Sequence, residues 1–157
     1  MTRSSPRVNV SPIGSNARQD GPVDEVQIAS MGTTMTLACA RRLPNGAAEL
    51  LDVAIRDVDL TAGRSVYAGY SEGFGLLAAF FAELATDWRG WKGERTYESI
   101  EHDFRIVATH DGHVRLKVRL WQSGDPDGWT VETTFRIDAG EQLSRAAAEI
   151  AALIQAD

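Results

Sequence analysis

The sequence predicts an α+β fold with largely antiparallel sheets and two helices, in the order strands, helix, strands, helix. Two blocks in which apolar and polar residues alternate predict the strands, because successive side chains of a strand point to opposite faces. An apolar stripe at spacings of three and four follows each block and predicts a helix. Short turn sequences between the strands favour antiparallel pairing, since parallel strands need long crossover connections.

The first block contains four predicted strands. The segments EVQIAS and TMTLACA flank Gly32 and predict two short strands joined by a turn. Asn45-Gly46 is the next turn signal, and the LLDVAIRDV that follows places its aliphatic residues at alternate positions. The segment RSVYAGY then predicts a shorter fourth strand.

A helix is predicted over residues 71–88. The residues of its apolar stripe are Phe74, Leu77, Phe81, Leu84 and Trp88. This stripe predicts one helix face packed on a core. Gly90 comes just after the stripe, at the position where a left-handed glycine commonly ends a helix.

The second block contains three predicted strands, over residues 95–109, 113–121 and 129–137, and a final helix follows. Asp138 and Glu141 have the spacing of a capping box, in which two side chains satisfy the amides of the first helical turn. The apolar stripe of this helix consists of Leu143, Ala147, Ile150 and Ile154.

The chain has 157 residues, of which 43% are hydrophobic, so it is long enough for one domain with its own core. We expect a single α+β domain over residues 24–157. Residues 1–23 hold three of the five prolines and few clustered apolar residues. Such a segment cannot bury enough apolar surface to offset its ordering entropy, so a disordered tail is expected there.

Charge and composition exclude several classes of protein. The formal net charge of −6 argues against a nucleic-acid partner, because nucleic-acid binders are usually basic. No segment approaches the roughly 20 apolar residues of a membrane span, and no continuous apolar signal segment is present. We therefore expect a cytoplasmic protein without a membrane partner or a cofactor. Cys39 is the only cysteine, which excludes an intrachain disulfide.

The sequence HDGH, which begins at His110, predicts a hairpin that could have either of two registers. A two-residue turn would pair His110 with His113 and set apolar residues opposite charged ones. A three-residue loop from His110 to Gly112, with Gly112 left-handed, pairs Ala108 with Val114 and keeps the apolar residues on one face. Since a slip of one residue moves every side chain to the other face, the hydrophobic pattern favours the three-residue loop.

This register argues against a metal site at the hairpin. His110 lies at the loop tip, and His113 begins the next strand. His102 lies eight residues back along the predicted strand, roughly 26 Å away at about 3.3 Å per residue. Three histidine ligands cannot converge from those positions, so no metal site is predicted.

The same register places basic residues on the face opposite the apolar ones, and Trp121 continues the outward parity of Arg119. The predicted partner-binding residues, which we call the basic face, are Arg105, Arg115, Lys117, Arg119, Trp121 and Arg136. A basic strip on an acidic protein suits an acidic protein partner, and tryptophan beside arginine is typical of interaction hot spots. The alternative is a solvated sheet face whose long charged side chains prevent aggregation.

The remaining tryptophans give a second functional hypothesis. Trp88 and Trp129 share the parity of apolar stripes and are expected in the core, whereas the position of Trp91 is ambiguous. A pocket between sheet and helix near Trp88 and Trp91 would make the chain a small-molecule-binding domain.

The segment from Gly69 to Gly73 matches the Gly-x-Ser-x-Gly pattern of a hydrolase nucleophile elbow, with Ser71 as the nucleophile. That elbow requires a parallel sheet and a following acid and histidine. Asp87 or Asp103 could be the acid, but no histidine has a reason to approach the start of the helix. A serine that caps the helix explains the residue without chemistry. A Ser71 hydrolase is the third hypothesis, and no catalytic residue is predicted.

Three motifs carry a family resemblance. The first helix ends in Trp-x-Gly-Trp, Gly-Glu-x-x-Tyr-x-Ser-x-Glu follows, and Asp-Gly-His-Val precedes a basic strand. In these motifs, residues 25–155 resemble a family of small uncharacterised actinobacterial proteins. More distantly, the chain is similar to the immunity proteins of WapI-type toxins, which share the strand and helix order. The resemblance implies the fold and no catalytic residues. Our leading expectation is a non-enzymatic protein-binding domain that neutralises a toxin.

Overall fold

The computed structural model describes residues 24–69 and 73–155. Within these residues the chain forms eight strands and two helices in the predicted order. The strands are β1 (Glu25–Ser30), β2 (Thr33–Arg42), β3 (Ala48–Asp57), β4 (Leu60–Tyr67), β5 (Arg95–Glu98), β6 (Phe104–His110), β7 (Val114–Trp121) and β8 (Thr130–Ile137). Helix α1 (Gly75–Thr86) follows β4, and helix α2 (Glu141–Ile154) follows β8. The predicted tail, residues 1–23, lies outside the described residues.

The strands form two four-stranded sheets, in the orders β1-β2-β3-β4 and β5-β6-β7-β8. Every neighbouring pair is antiparallel, which confirms the α+β class. Each sheet is a meander in which sequence neighbours pair, and each meander is followed by one helix. The chain therefore repeats the order of four strands and a helix.

The strands of the first sheet lie where the alternating pattern predicts them. Leu51, Val53 and Ile55 alternate on β3 and are fully buried, as expected for the inner face of a half-covered sheet. Strand β4 is longer than predicted and begins at Leu60. A two-residue turn follows Asp57, so Leu60 pairs directly with Asp57 and the strand begins there.

The single strand predicted over residues 95–109 is wrong, because the chain turns and forms β5 and β6, which pair with each other. The hydroxyl of Ser99 accepts hydrogen bonds from the amides of Asp103 and Phe104, both at 3.1 Å. Serine side chains that bond nearby amides in this way offer the backbone an alternative to the strand ladder. His102 completes the turn with a φ of 57°.

Helix α1 begins later and ends earlier than predicted. Four members of the predicted stripe are buried, namely Phe74, Leu77, Phe81 and Leu84. Trp88 is instead 45% exposed, so its assignment to the core is wrong. The helix has its C-cap at Asp87, and beyond that residue helical spacing no longer determines which face a side chain occupies. Gly90 has a positive φ of 142°, but it lies three residues beyond the C-cap Asp87 and is no helix cap.

Helix α2 has its N-cap at Gly140, so the predicted capping box of Asp138 and Glu141 is wrong. The Oε1 atom of Gln142 instead accepts a hydrogen bond from the Asp138 amide at 2.9 Å. The predicted stripe is otherwise confirmed, since Leu143, Ile150 and Ile154 are buried and Ala147 is partly buried against the core.

Both sheets and both helices contribute to one hydrophobic cluster. Helix α1 packs on α2 and contacts β5, where the rings of Phe80 and Tyr97 meet with centroids 6.3 Å apart. Helix α2 contacts β1 and β2, and β1 contacts β8. The Arg136 amide on β8 donates to the Ser30 hydroxyl at the end of β1. This arrangement buries the inner faces and leaves the outer face of the second sheet open.

One buried ion pair joins the two sheets. Asp103, only 1% exposed, accepts a hydrogen bond from Arg64 Nε on β4 at 3.0 Å. Its other carboxylate oxygen accepts from the Ser99 hydroxyl at 2.7 Å. A buried carboxylate requires such partners, because burial without them carries a large desolvation cost. Burial, with the nearby Asp103 charge, also raises the pKa of Tyr97 well above its usual range.

Replacement of Arg64 by methionine should lower the free energy of unfolding by about 2–4 kcal/mol, because Asp103 is then left buried without its cation. Arg41→Met is the matched control, since Arg41 pairs with Glu49 at 2.9 Å but its side chain is 57% exposed. The control should cost less than about 1 kcal/mol. Urea unfolding of both variants measures the difference. An equal loss of unfolding free energy in the two variants would show that the Arg64–Asp103 pair stabilises the fold no more than an exposed ion pair does.

Candidate functional site

The hairpin between β6 and β7 has a loop of residues 111–113, closed by the pairing of His110 with Val114. The predicted pairing of Ala108 with Val114 is wrong, because Ala108 lies opposite Leu116. The difference is two residues, and side chains on a strand alternate with a period of two. The predicted inner and outer faces are therefore unchanged, although the loop is displaced.

The contacts of His110 explain why it stays in the strand. Its Nε2–H donates to the carbonyl oxygen of Trp88 at 2.8 Å, and its Nδ1 accepts from the Gly112 amide at 3.2 Å. Its ring stands edge-on to Trp91, with centroids 5.1 Å apart. Gly112 takes a φ of 96°, which confirms the predicted left-handed glycine.

All three histidines have local partners. Both ring nitrogens of His110 are hydrogen-bonded, and His113 Nε2 accepts from Arg136 Nη2 at 2.7 Å. His102 lies in the β5–β6 turn, where its Nδ1 is 2.5 Å from a carboxylate oxygen of Glu98. Among residues 24–69 and 73–155, no group of three or more His, Cys, Asp or Glu residues is arranged to hold a metal ion.

The six residues of the basic face lie together on the outer side of the second sheet. Arg105 is on β6, Arg136 is on β8, and the other four alternate along β7 between buried aliphatic residues. Antiparallel pairing places Arg105 opposite Arg119, and Arg115 opposite Arg136. Like charges directly opposite each other are unfavourable, so each arginine pair needs compensation or an external anion.

Two of the arginines are compensated within the chain. Arg105 lies 3.5 Å from Glu98, and Arg115 Nε donates to Asp111 Oδ2 at 3.2 Å. The hydrogen bond from Arg115 is the main reason that the pKa of Asp111 lies below its usual range. The two carboxylates reduce the positive field at these two positions.

The other three cations of the basic face are Lys117, Arg119 and Arg136, and none forms an ion pair within the described part of the chain. Arg136 bonds only to His113 from its side chain. Glu132 lies opposite Arg119 in the register without forming a salt bridge to it. These three residues carry the uncompensated positive charge of the face.

Trp121 holds two guanidinium groups near its ring. The Arg119 guanidinium carbon lies 4.3 Å from the centroid, and that of Arg105 lies 5.6 Å away. Such cation–π contacts restrict the arginine side chains at little cost in solvation. The Nε atom of Arg119 is buried and has no hydrogen-bond partner among the residues that the structure describes.

A cavity of about 780 Å³ adjoins this end of the basic face, between the β7–β8 loop and the β5–β6 turn. We call it the Trp groove. The side chains that matter for its chemistry are Glu101, His102, Arg119, Trp121, Asp125 and Trp129. The β7–β8 loop is well bonded, because the Gln122 amide donates to the Trp129 carbonyl at 3.0 Å and the Asp127 amide donates to the Asp125 carboxylate at 2.9 Å.

Trp129 was expected in the core, and that expectation is wrong, because Trp129 is 39% exposed. It precedes β8, which is the edge strand of the second sheet. Trp91 packs against the core, and its indole Nε1 is buried without a partner among the described residues. The Trp groove lies at the opposite end of the sheet from Trp88 and Trp91, where the sequence predicted a pocket.

Sequence reasoning found Arg119 and Trp121 but missed Glu101, His102 and Trp129. The available signal was the segment QSGDPDG, a tight polar loop with a tryptophan at each end. The register pairs Trp121 with Thr130, so Trp129 stands opposite Gln122, and the loop rather than the strand pairing brings both tryptophans to the groove.

Ser71 lies outside the described residues. Of the two candidate acids, Asp103 is engaged by Arg64 and Ser99, and Asp87 accepts a hydrogen bond from Arg95 at 2.8 Å.

The chain belongs to a family of unknown function, DUF6228, which matches residues 26–157. No curated protein and no solved structure matches the chain. Among the described helices, none is long and apolar enough to cross a membrane.

A fluorophosphonate probe should not label the chain above the level seen with Ser71→Ala, because both candidate acids are held by other groups and all three histidines have local partners. Gel fluorescence after incubation with the probe measures labelling, with a known serine hydrolase as the positive control. Labelling that disappears in Ser71→Ala would restore the hydrolase hypothesis.

Proposed function

We propose that this chain is a non-enzymatic binding protein that docks an acidic protein partner on the basic face. The observation that supports this most directly is the position of Lys117, Arg119 and Arg136. These three cations lie on one open sheet face beside a tryptophan and are without acidic partners in the described part of the chain.

The distribution of charge favours an oriented encounter. The chain carries a net charge of −6, yet the basic face is positive. An acidic partner is repelled by most of the surface and attracted by this face, which steers association and fixes its orientation. Nucleic acid is less suited, because its uniform charge would meet the acidic remainder of the molecule.

Rigidity of the face also favours docking. The arginine side chains near Trp121 are already restricted by the ring, so binding orders fewer rotatable groups. Tryptophan and arginine are the residues most enriched at positions that dominate binding energy. The remaining contacts of the face would then exclude water around this centre.

A toxin-neutralising immunity protein is the specific form of this function that we propose. The reason is the distant resemblance to WapI-type immunity proteins, together with the wider resemblance to actinobacterial proteins. The resemblance to the immunity proteins lies in the order of strands and helices. In this form of the proposal the partner is an acidic toxin domain, and the protein acts in the cytoplasm, where such a toxin would be neutralised.

The double variant Arg115→Glu/Lys117→Glu should weaken partner binding by at least about tenfold, because a carboxylate of the partner would meet two new negative charges. The partner to test is the product of a toxin-like reading frame next to the gene, and biolayer interferometry at two salt concentrations measures the dissociation constant. Arg56→Glu is the matched control, since Arg56 is an exposed cation on the first sheet.

The control should change the dissociation constant by less than about twofold. Equal affinity of wild type and double variant would refute docking on the basic face. Co-expression of the partner with wild type should also restore growth that the partner alone inhibits. Tight binding without growth rescue would retain the docking face and reject the immunity function.

A further inference from the structure

We infer that the Trp groove binds a small organic monoanion, a carboxylate carried on an apolar or aromatic body. Three features meet in this groove: Arg119, whose buried Nε has no hydrogen-bond partner among the described residues, two tryptophan rings, and an acidic rim. The inference does not depend on protein docking, although Arg119 and Trp121 belong to both surfaces.

The size of the groove fits a small molecule. Its volume is about 780 Å³, and small-molecule sites are typically about 300–1,000 Å³. A single partner side chain would leave much of this volume filled with water. An organic acid with an aromatic ring would contact more of the apolar surface of Trp121 and Trp129 than a single side chain would.

Arg119 supplies the anion receptor. Its guanidinium carbon lies 4.3 Å from the centroid of the Trp121 ring, and this contact restricts the side chain. A carboxylate matches the planar arrangement of guanidinium donors, because two parallel hydrogen bonds can form. Lys117, the neighbouring cation on the same face, does not line the groove.

The tryptophans supply the apolar wall. Trp121 is partly buried beside Arg119, whereas Trp129 is 39% exposed on the other side. Trp129 also borders a second cavity of about 400 Å³, together with Gly63 of β4. Its ring therefore presents apolar surface that no other element of the described chain covers fully, and an apolar ligand body would cover it.

The rim limits the charge of the ligand. Glu101 and Asp125 are exposed and line the same groove. Two carboxylates near a single strong cation repel a second negative charge on the ligand. Phosphate esters and nucleotides carry two or more charges, so a monoanion is favoured.

The groove is preformed. Gly128 leaves no room for a side chain, since an added Cβ would lie 2.7 Å from the amide oxygen of Gln122. The backbone hydrogen bond between Gln122 and Trp129 closes the base of the loop. A ligand thus meets walls that are already in place, which reduces the entropic cost of binding.

The experiment titrates the full chain with 4-phenylbutyrate and, as the matched probe, with neutral 4-phenylbutyramide. The four tryptophan indole N–H signals in a ¹⁵N-labelled sample report the site, each assigned by a single Trp→Phe variant. The carboxylate should shift the signals of Trp121 and Trp129 in a saturable manner and leave Trp88 and Trp91 unchanged. The amide should bind at least about tenfold more weakly, because it lacks the charge-assisted hydrogen bond.

Arg119→Gln should weaken 4-phenylbutyrate binding by at least about tenfold and leave amide binding unchanged. Trp129→Ala should weaken both ligands, since it removes apolar wall. Arg89→Gln is the matched control, because Arg89 lies over the exposed Trp88 at 4.9 Å and does not line the groove. Thermal unfolding confirms that each variant is folded.

Saturable shifts confined to Trp88 and Trp91 would overturn the inference in favour of a site at the end of α1. Equal binding of acid and amide, or no shift for either, would also overturn it. The variant Arg115→Glu/Lys117→Glu should retain 4-phenylbutyrate binding within about threefold, since neither residue lines the groove. This double variant therefore tests the two proposals separately, because it should lose protein docking and keep binding of 4-phenylbutyrate.

Discussion

The ion pair between Arg64 and Asp103 is the buried charged contact that joins the two sheets. Arg64 lies on the edge strand of the first sheet, and Asp103 lies in the turn that begins β6 in the second. A charge as deeply buried as Asp103 is stable only when its partners are held in place. The hydrophobic cluster fills the space between the sheets, but apolar contacts are non-directional. The directional bonds of this pair, together with the bond from the Arg136 amide to Ser30, therefore specify how the sheets meet.

The same turn carries this constraint to the candidate site. The carbonyl oxygen of Asp103 accepts a hydrogen bond from the amide of Trp121 at 3.1 Å. This bond connects the buried ion pair to the tryptophan on the outer face. His102, next in the turn, faces the Trp groove. The outer face of the second sheet is thus rigid where Arg119 and Trp121 lie. A rigid, positively charged face and an adjoining groove are consistent with recognition of anionic groups, whether on a protein or on a small acid.

The alternation of apolar and polar residues predicted which side of the second sheet the basic residues occupy. The outer parity of Arg115, Lys117 and Arg119 was predicted even though the hairpin register was displaced by two residues, because the displacement was even. The break at Ser99 was not predicted, since its cause is a side-chain hydrogen bond to amides four and five residues later. The buried position of β5 is odd-numbered, at Tyr97, whereas those of β6 are even-numbered, at Phe104 and Ile106, so the alternation changes phase across this turn.

The sequence by itself determined the order of the strand blocks and helices, the inner faces of β3, β6 and β7, and the six members of the basic face. These features depend on local periodicity and on the burial of apolar side chains, and both can be read from residues that are close together in the sequence. Only the tertiary structure decided that Trp129 is exposed, that Asp103 pairs with Arg64, and that a groove lies beside Trp121. Those features depend on contacts between residues far apart in the chain, and periodicity carries no information about which distant surfaces meet.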